Sequence, residues 1–224
     1  MKKLSSAILL AAVLVLGAGM VGTVLAAPAK SAQQTLDEAW TAYNIGQYNK
    51  VVQMVQPLAS DGNPRAQVLL ARCYENGLGV AQDMETAAKW FRLAAEQNYA
   101  EGQVQLGYLY ELGAGVPKND AAVADLMSRA ANAGNAEAQF NLALYASQGR
   151  YGFAKNPEQA FAWAKRSADQ GFAQAQRYVG ACYEYGVGVS VNPSEAAAWY
   201  SKAAAQGLEK EGNIFNTERE YTMP

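Results

Sequence analysis

Apolar and polar residues follow a helical period over most of this chain, and the pattern itself repeats. Between residues 64 and 208, apolar residues recur at spacings of three, four and seven, which places them on one face of a helix. Each helical run leads into a glycine phrase, read as "YENGLGV" at 74–80, "YELGAGV" at 110–116 and "YEYGVGV" at 183–189. An active-site loop is needed once, so a loop that returns at fixed spacing indicates a building unit.

Aligning these phrases divides the segment into four repeats, which we number 1 to 4. They span residues 64–99, 100–135, 136–172 and 173–208. The third repeat has one extra residue, in the stretch "GRYGF". The eighth position is always alanine or glycine, and a small residue there lets a neighbouring helix approach closely. The fourth position is always glutamine, at Gln67, Gln103, Gln139 and Gln176.

Turn and cap residues predict a helix, a glycine turn and a second helix in every repeat. The first glycine of each phrase suits the left-handed end of a helix, the second turns the chain again, and the apolar residue after it can tuck under the loop. A phosphate-binding loop is disfavoured, because no strand precedes the glycines and no Gly-Lys-Ser/Thr follows. The second helix carries a large residue at one position: Trp90, Leu126, Trp163 or Trp199. The predicted N-cap residues of the second helices are Asp83, Asn119, Asn156 and Asn192.

With "A-x-Q", "L-G", "Y-E-x-G-x-G-V", "N-P-x-x-A" and "W-Y-x-K-A-A-x-x-G" in this order, the repeats resemble Sel-one-like repeats, relatives of the tetratricopeptide repeat. Residues 33–63 resemble a shorter tetratricopeptide-like unit, which we expect to cap the N-terminal end; Pro57 should kink its second helix. The resemblance implies an all-α fold, a right-handed superhelical solenoid of stacked helix-turn-helix repeats. Residues 209–224 would be a C-terminal tail.

The N-terminal stretch has the features of a secretory signal peptide. Lys2 and Lys3 precede an apolar run at 7–26, and Val24 and Ala26 stand at the small-residue positions of a cleavage site. We expect a signal peptide at 1–26, cleavage after Ala26, a short linker at 27–32, and a periplasmic or secreted protein. An uncleaved membrane anchor is the alternative.

The composition restricts the chemistry that is available. The chain has no histidine, which excludes Ser–His–Asp and Cys–His nucleophile arrangements and histidine-based metal sites. Since no other reactive side chains cluster in a recognisable motif, we expect no catalytic residue, no cofactor and no metal. A net charge of −2 without a basic cluster predicts no nucleic-acid partner.

The two cysteines occupy the same position of repeats 1 and 4. Three repeat steps would place Cys73 and Cys182 about 25–30 Å apart, whereas a disulfide needs Cα atoms within about 7 Å. Both thiols should therefore be free and behave as small apolar core residues.

By resemblance to tetratricopeptide proteins, positions two, five, nine and twelve of each repeat line a concave groove, and we expect them to be exposed in the free protein. Aromatic and arginine side chains dominate binding energy, which favours Arg72, Tyr108, Phe140 and Arg177 as anchors. Phe140 and Leu144 could instead pack between adjacent repeats. The predicted partner-binding residues are Arg65, Arg72, Glu101, Val104, Tyr108, Glu111, Phe140, Leu144, Gln174 and Arg177. The remaining groove positions are Val68, Glu75, Glu137, Ser147, Ala181 and Glu184.

The resemblance implies a non-enzymatic scaffold or adaptor of the bacterial cell envelope that binds a protein or peptide partner in this groove. A secreted factor that binds a host protein would use the same surface. A hydrolase of cell-wall or β-lactam amides, as proposed for cysteine-rich relatives, is a third hypothesis, but no nucleophile–base pair in this sequence supports it.

Overall fold

The computed structural model of the protein describes residues 30–210, 212 and 214–215. Across this part of the chain there are ten α-helices and no strand, so the predicted all-α solenoid is confirmed. The helices are α1 (Ala32–Asn44), α2 (Tyr48–Ser60), α3 (Pro64–Asn76), α4 (Met84–Glu96), α5 (Ala100–Leu112), α6 (Asp120–Asn132), α7 (Ala136–Gln148), α8 (Pro157–Asp169), α9 (Ala173–Tyr185) and α10 (Pro193–Ala204).

The apolar cores lie at the joints between repeats. Each helix packs against its neighbours in the chain, and α3 also touches α5. One cluster joins α1 and α2 to Leu69 and Cys73 of α3, and another joins α3 and α4 to Leu106 and Leu109 of α5. Since every cluster needs the first helix of the next repeat, no repeat buries its apolar face alone.

Local capping sets the helix ends as the sequence predicted. The four predicted N-cap side chains of α4, α6, α8 and α10 each accept a backbone N–H from the first helical turn. At the other end of α5, Gly113 is left-handed, with φ of 72°. In the N-terminal cap, α2 continues through Pro57 as one helix, so a kink there stays a prediction.

The second glycine of the turn has a further role, because it lies against the preceding repeat. A Cβ added to Gly79 would stand 2.6 Å from the backbone of Tyr48, at the start of α2. A Cβ on Gly115 would overlap the carbonyl oxygen of Met84, where α4 begins. In the third repeat the extra residue changes the loop, and Gly152 has open space around it. Glycine at 79 and 115 therefore permits close stacking as well as a turn.

The small residue at the eighth position leaves room for the neighbouring helix, as predicted. A Cβ on Gly107 would stand 2.9 Å from Cε of Met127, and a Cβ on Gly180 would stand 2.9 Å from the ring of Tyr200. Both large side chains come from the second helix of the same repeat. The missing Cβ thus makes the room into which the second helix places a large residue.

The predicted signal segment at 1–26 lies outside the described residues. Within those residues, no helix combines the length and the apolar character that a membrane crossing requires. Part of the tail docks: the ring of Phe215 meets Tyr178 edge-on, with centroids 5.3 Å apart.

Candidate functional site

The structure divides the ten predicted groove residues into a buried and a half-buried set. The side chains of Val104, Phe140, Leu144 and Arg177 are only 1%, 6%, 6% and 7% exposed. The expectation that groove positions are exposed in the free protein is therefore wrong for these four. The other six are half-buried: Arg65, Arg72, Glu101, Tyr108, Glu111 and Gln174.

Phe140 packs between repeats. Its ring lies 5.6 Å from that of Phe172 and 5.9 Å from that of Tyr178, measured between centroids. Leu144 belongs to the same cluster. Both side chains are buried because the following repeat covers the fifth and ninth positions of α7. Phe140 and Leu144 therefore pack between adjacent repeats, which was the alternative to partner binding.

The half-buried residues link successive first helices. Arg72 on α3 donates from Nη2 to Glu101 on α5 at 2.9 Å. One repeat further on, the Tyr108 hydroxyl on α5 donates to Glu137 on α7 at 2.7 Å. In both cases the ninth position of one repeat bonds to the second position of the next. We call this strip of half-buried polar side chains along α3, α5, α7 and α9 the polar strip.

Tyr108 is held more firmly than an exposed anchor would be. Its hydroxyl also accepts a 2.8 Å hydrogen bond from Nδ2 of Asn141. Burial, and then the Glu137 carboxylate, raise the pKa of Tyr108 far above the ordinary tyrosine value, so the phenol stays protonated. Tyr108 therefore has a structural role at the boundary between repeats 2 and 3, whatever it contributes to binding.

The longer loop of the third repeat reaches back over Glu111. The Tyr151 hydroxyl donates to Oε1 of Glu111 at 2.6 Å, and Nη2 of Arg150 lies 3.5 Å from the same oxygen. Tyr151 adopts a left-handed φ of 52°, a conformation that costs free energy for a non-glycine residue. Its ring meets Tyr145 at a centroid distance of 4.6 Å. Both Arg150 and Tyr151 belong to the loop that contains the extra residue of the third repeat.

Sequence reasoning missed the role of the fourth-position glutamines, although their invariance was the available signal. Gln139 donates to the carbonyl of Ala131, near the end of the preceding repeat's second helix, at 3.1 Å. Its own Oε1 accepts from Gln170, just past the end of α8, at 2.8 Å. Repeats 1 and 4 make the same pair of bonds through Gln67 and Gln176.

The second repeat breaks this pattern. The position occupied by Gln97, Gln170 and Gln206 in the other repeats is Ala133 here. As a result Oε1 of Gln103 is buried without a hydrogen-bond partner in the described part of the chain. A buried acceptor left unpaired costs free energy. This joint therefore lacks one hydrogen bond that the other three joints have, although Arg129 donates across it to the carbonyl of Ala95.

The thiols offer little nucleophilic chemistry. Cys73 and Cys182 are both free and buried, in different clusters, as the stacking argument predicted. Burial raises their thiol pKa values to about 11 and about 12, so the reactive thiolate is scarce at neutral pH. Within the described residues, no group of three or more metal-binding side chains is placed to hold a metal ion.

These features define an α-solenoid whose polar strip runs along successive first helices. The Sel1 repeat family matches residues 64–99, 100–135, 136–172 and 173–208, the same four repeats that the glycine phrases delimit. The chain belongs to the Sel1 repeat family. Proteins of this family commonly serve as non-enzymatic scaffolds for protein–protein interaction.

Three similar proteins are each longer than the chain. A Sel1 repeat protein from Oxalobacter formigenes is 36% identical with a TM-score of 0.68, covering 72% of this chain and 46% of its own. A protective antigen of uropathogenic Escherichia coli with an SLR fold is 30% identical with a TM-score of 0.69. The match covers 79% of this chain and 38% of the antigen. Chitin synthase regulatory factor 3 of Schizosaccharomyces pombe is 30% identical over 71% of this chain and 19% of its own length. The chain thus spans less than half of each relative.

Proposed function

We propose that this protein is a non-enzymatic scaffold of the bacterial cell envelope that binds a protein or peptide partner along the polar strip. The observation that carries the proposal is the strip itself. Arg65, Arg72, Glu101, Glu111 and Gln174 remain partly accessible on successive first helices. Repeat proteins use the surface formed by such stacked helices to bind extended partners.

Rigidity of the strip supports a binding role. Cross-repeat bonds hold several of its side chains before any partner arrives, as at Arg72–Glu101 and Arg65–Gln33, where Nη1 of Arg65 donates to Oε1 of Gln33 at 3.0 Å. A side chain that is already ordered loses less conformational entropy on binding. The buried residues Val104, Phe140, Leu144 and Arg177 would support the strip from below rather than contact the partner first.

Photocrosslinking in living cells tests the binding face. A photoreactive residue at Gln174, half-buried on α9, should capture one discrete partner, whereas the same residue at exposed Lys89 on α4 should not. Arg65→Ala should reduce capture from Gln174, because Arg65 lies on the same strip. Equal capture from both positions would contradict a groove-binding scaffold.

A second experiment tests the cellular location of the protein. If residues 1–26 are a cleaved signal peptide, the purified protein begins at Ala27 and is released with the periplasmic or culture fraction. Protein that begins at Met1 and stays with the inner membrane would contradict cleavage and favour the anchor. Recovery mainly from the culture medium would favour a secreted factor over an envelope scaffold.

A further inference from the structure

The twelfth position of the first helix is glutamate in repeats 1, 2 and 4, and among the described residues only two of the three form a direct ion pair. At Glu111 the partners are the Tyr151 hydroxyl at 2.6 Å and Arg150 at 3.5 Å. At Glu184 they are the Tyr200 hydroxyl and Nζ of Lys210, both at 2.7 Å. Each of these carboxylates thus receives one phenol hydroxyl and one cationic side chain.

The two cations come from unrelated parts of the chain. Arg150 lies in the lengthened loop of the third repeat, and Lys210 follows α10 in the tail. The hydrogen bonds from Lys210 and Tyr200 lower the pKa of Glu184, so its carboxylate is ionised and paired. Since the covering segments share no sequence, the common feature is the position of the glutamate at the end of the first helix.

Glu75 occupies this position in the first repeat. Its carboxylate is bonded by neither a phenol hydroxyl nor a cationic side chain of any residue that the structure describes. The loop of the next repeat is the short Gly-Ala-Gly stretch at 113–115, which has no counterpart of Arg150 or Tyr151. In the described part of the chain, no hydrogen bond or ion pair reaches the Glu75 carboxylate, which is half-buried. Burial raises the pKa of Glu75, and the charge of nearby Arg72 offsets part of this effect. Arg72 makes its direct ion pair with Glu101 instead, at 2.9 Å. A half-buried carboxylate without a direct partner is unfavourable in the free protein.

We propose that Glu75 is the point at which the polar strip receives a lysine or arginine side chain from a basic segment of the partner protein. The inference rests on the proposed function and names the chemistry of its partner. Lys210 at Glu184 shows within the same molecule how a lysine ammonium docks at this position. An acidic carboxylate with no ion pair selects a cationic group over a neutral or acidic one.

Zero-length carbodiimide coupling tests this site, because it joins a carboxylate to a lysine amine that lies in contact with it. The probe is the peptide acetyl-Gly-Ser-Lys-Ser-Gly-amide at low ionic strength, and coupled residues are identified by mass spectrometry. The intramolecular Glu184–Lys210 amide is the internal positive control. Exposed Glu85 and Glu96 on α4 are the matched control carboxylates.

We expect coupling at Glu75 to exceed that at Glu85 and Glu96 about threefold, the preference that an ion pair of modest strength gives. An excess of the same peptide with arginine in place of lysine should suppress coupling at Glu75 and leave the controls unchanged. In the Lys210→Ala variant, Glu184 should become a second coupling site, because its own cation is gone.

Equal coupling at Glu75, Glu85 and Glu96, or no suppression by the arginine peptide, would overturn the proposal. A negative result in the carbodiimide experiment would not contradict the scaffold function, because photocrosslinking from Gln174 does not depend on Glu75. Loss of that capture with intact coupling at Glu75 would instead contradict the scaffold function.

Discussion

The hydroxyl of Tyr108 donates a 2.7 Å hydrogen bond to the carboxylate of Glu137 across the boundary between the second and third repeats. This bond gives a predicted binding residue a structural role, because Tyr108 also accepts from Asn141 at 2.8 Å. The two repeats are therefore joined at the polar strip as well as in the apolar core.

Tyr108→Phe should lower the free energy of unfolding by about 1–3 kcal/mol, since Glu137 and Asn141 both lose a half-buried partner. Urea denaturation followed by circular dichroism measures the change. Tyr74→Phe is the matched control, because Tyr74 is half-buried on α3 and no described residue bonds its hydroxyl. Equal stability of the two variants would contradict a structural role for Tyr108.

Ala133→Gln should stabilise the protein by about 1 kcal/mol by giving Oε1 of Gln103 the partner that it lacks. In the other repeats the glutamine at this position donates to the equivalent oxygen at 2.8–2.9 Å. Ala133→Met has a similar length without a donor, and it should leave the unfolding free energy nearly unchanged. A gain with methionine as large as that with glutamine would show that packing, not the hydrogen bond, is responsible.

Gly115→Ala and Gly152→Ala should differ sharply, although both glycines have positive φ, of 67° and 82°. Each variant loses about 1 kcal/mol from the left-handed backbone. At Gly115 the added Cβ also meets the Met84 backbone, so the total loss should be about 3 kcal/mol or more. Thermal denaturation of the pair measures the difference, and similar melting temperatures would mean that the repeats can separate at no cost.

The buried cysteines should make the protein less stable in alkali. The folded-state pKa values of Cys73 and Cys182 are raised by burial from 9.0 to about 11 and about 12. Above pH 9 the unfolded thiols ionise while the folded ones do not, so stability falls as the pH rises through this window. The Cys73→Ala/Cys182→Ala variant should lose less stability between pH 8 and pH 11 in urea titrations.

Cys73 and Cys182 should form no disulfide, and the intact mass of the protein checks this. Non-reduced monomer should show the mass of two thiols, and a thiol reagent should label them only after unfolding. A mass lower by two hydrogens, traced to Cys73 and Cys182, would contradict the stacked arrangement.

The sequence by itself determined the repeat boundaries, the helix ends and the class of fold. Capping by Asn119 and the left-handed turn at Gly113 depend on residues only a few positions away, so the local pattern was sufficient. The small residue at Gly107 likewise predicted close helix packing, and the structure supplied Met127 as the side chain that fills the space.

Only the tertiary structure decided which groove positions stay accessible. Phe140 and Tyr108 lie on the same face, at the fifth position of repeat 3 and the ninth position of repeat 2. Phe172 at the end of repeat 3 and Tyr178 of repeat 4 bury Phe140, whereas Tyr108 is bonded and half-buried. Accessibility at this face depends on residues one repeat further along the chain. The lengthened loop of repeat 3 brings Tyr151 to Glu111, whereas the shorter loop of repeat 2 brings no such side chain to Glu75 in the described residues. Such contacts join positions about thirty to forty residues apart, where helical periodicity carries no information.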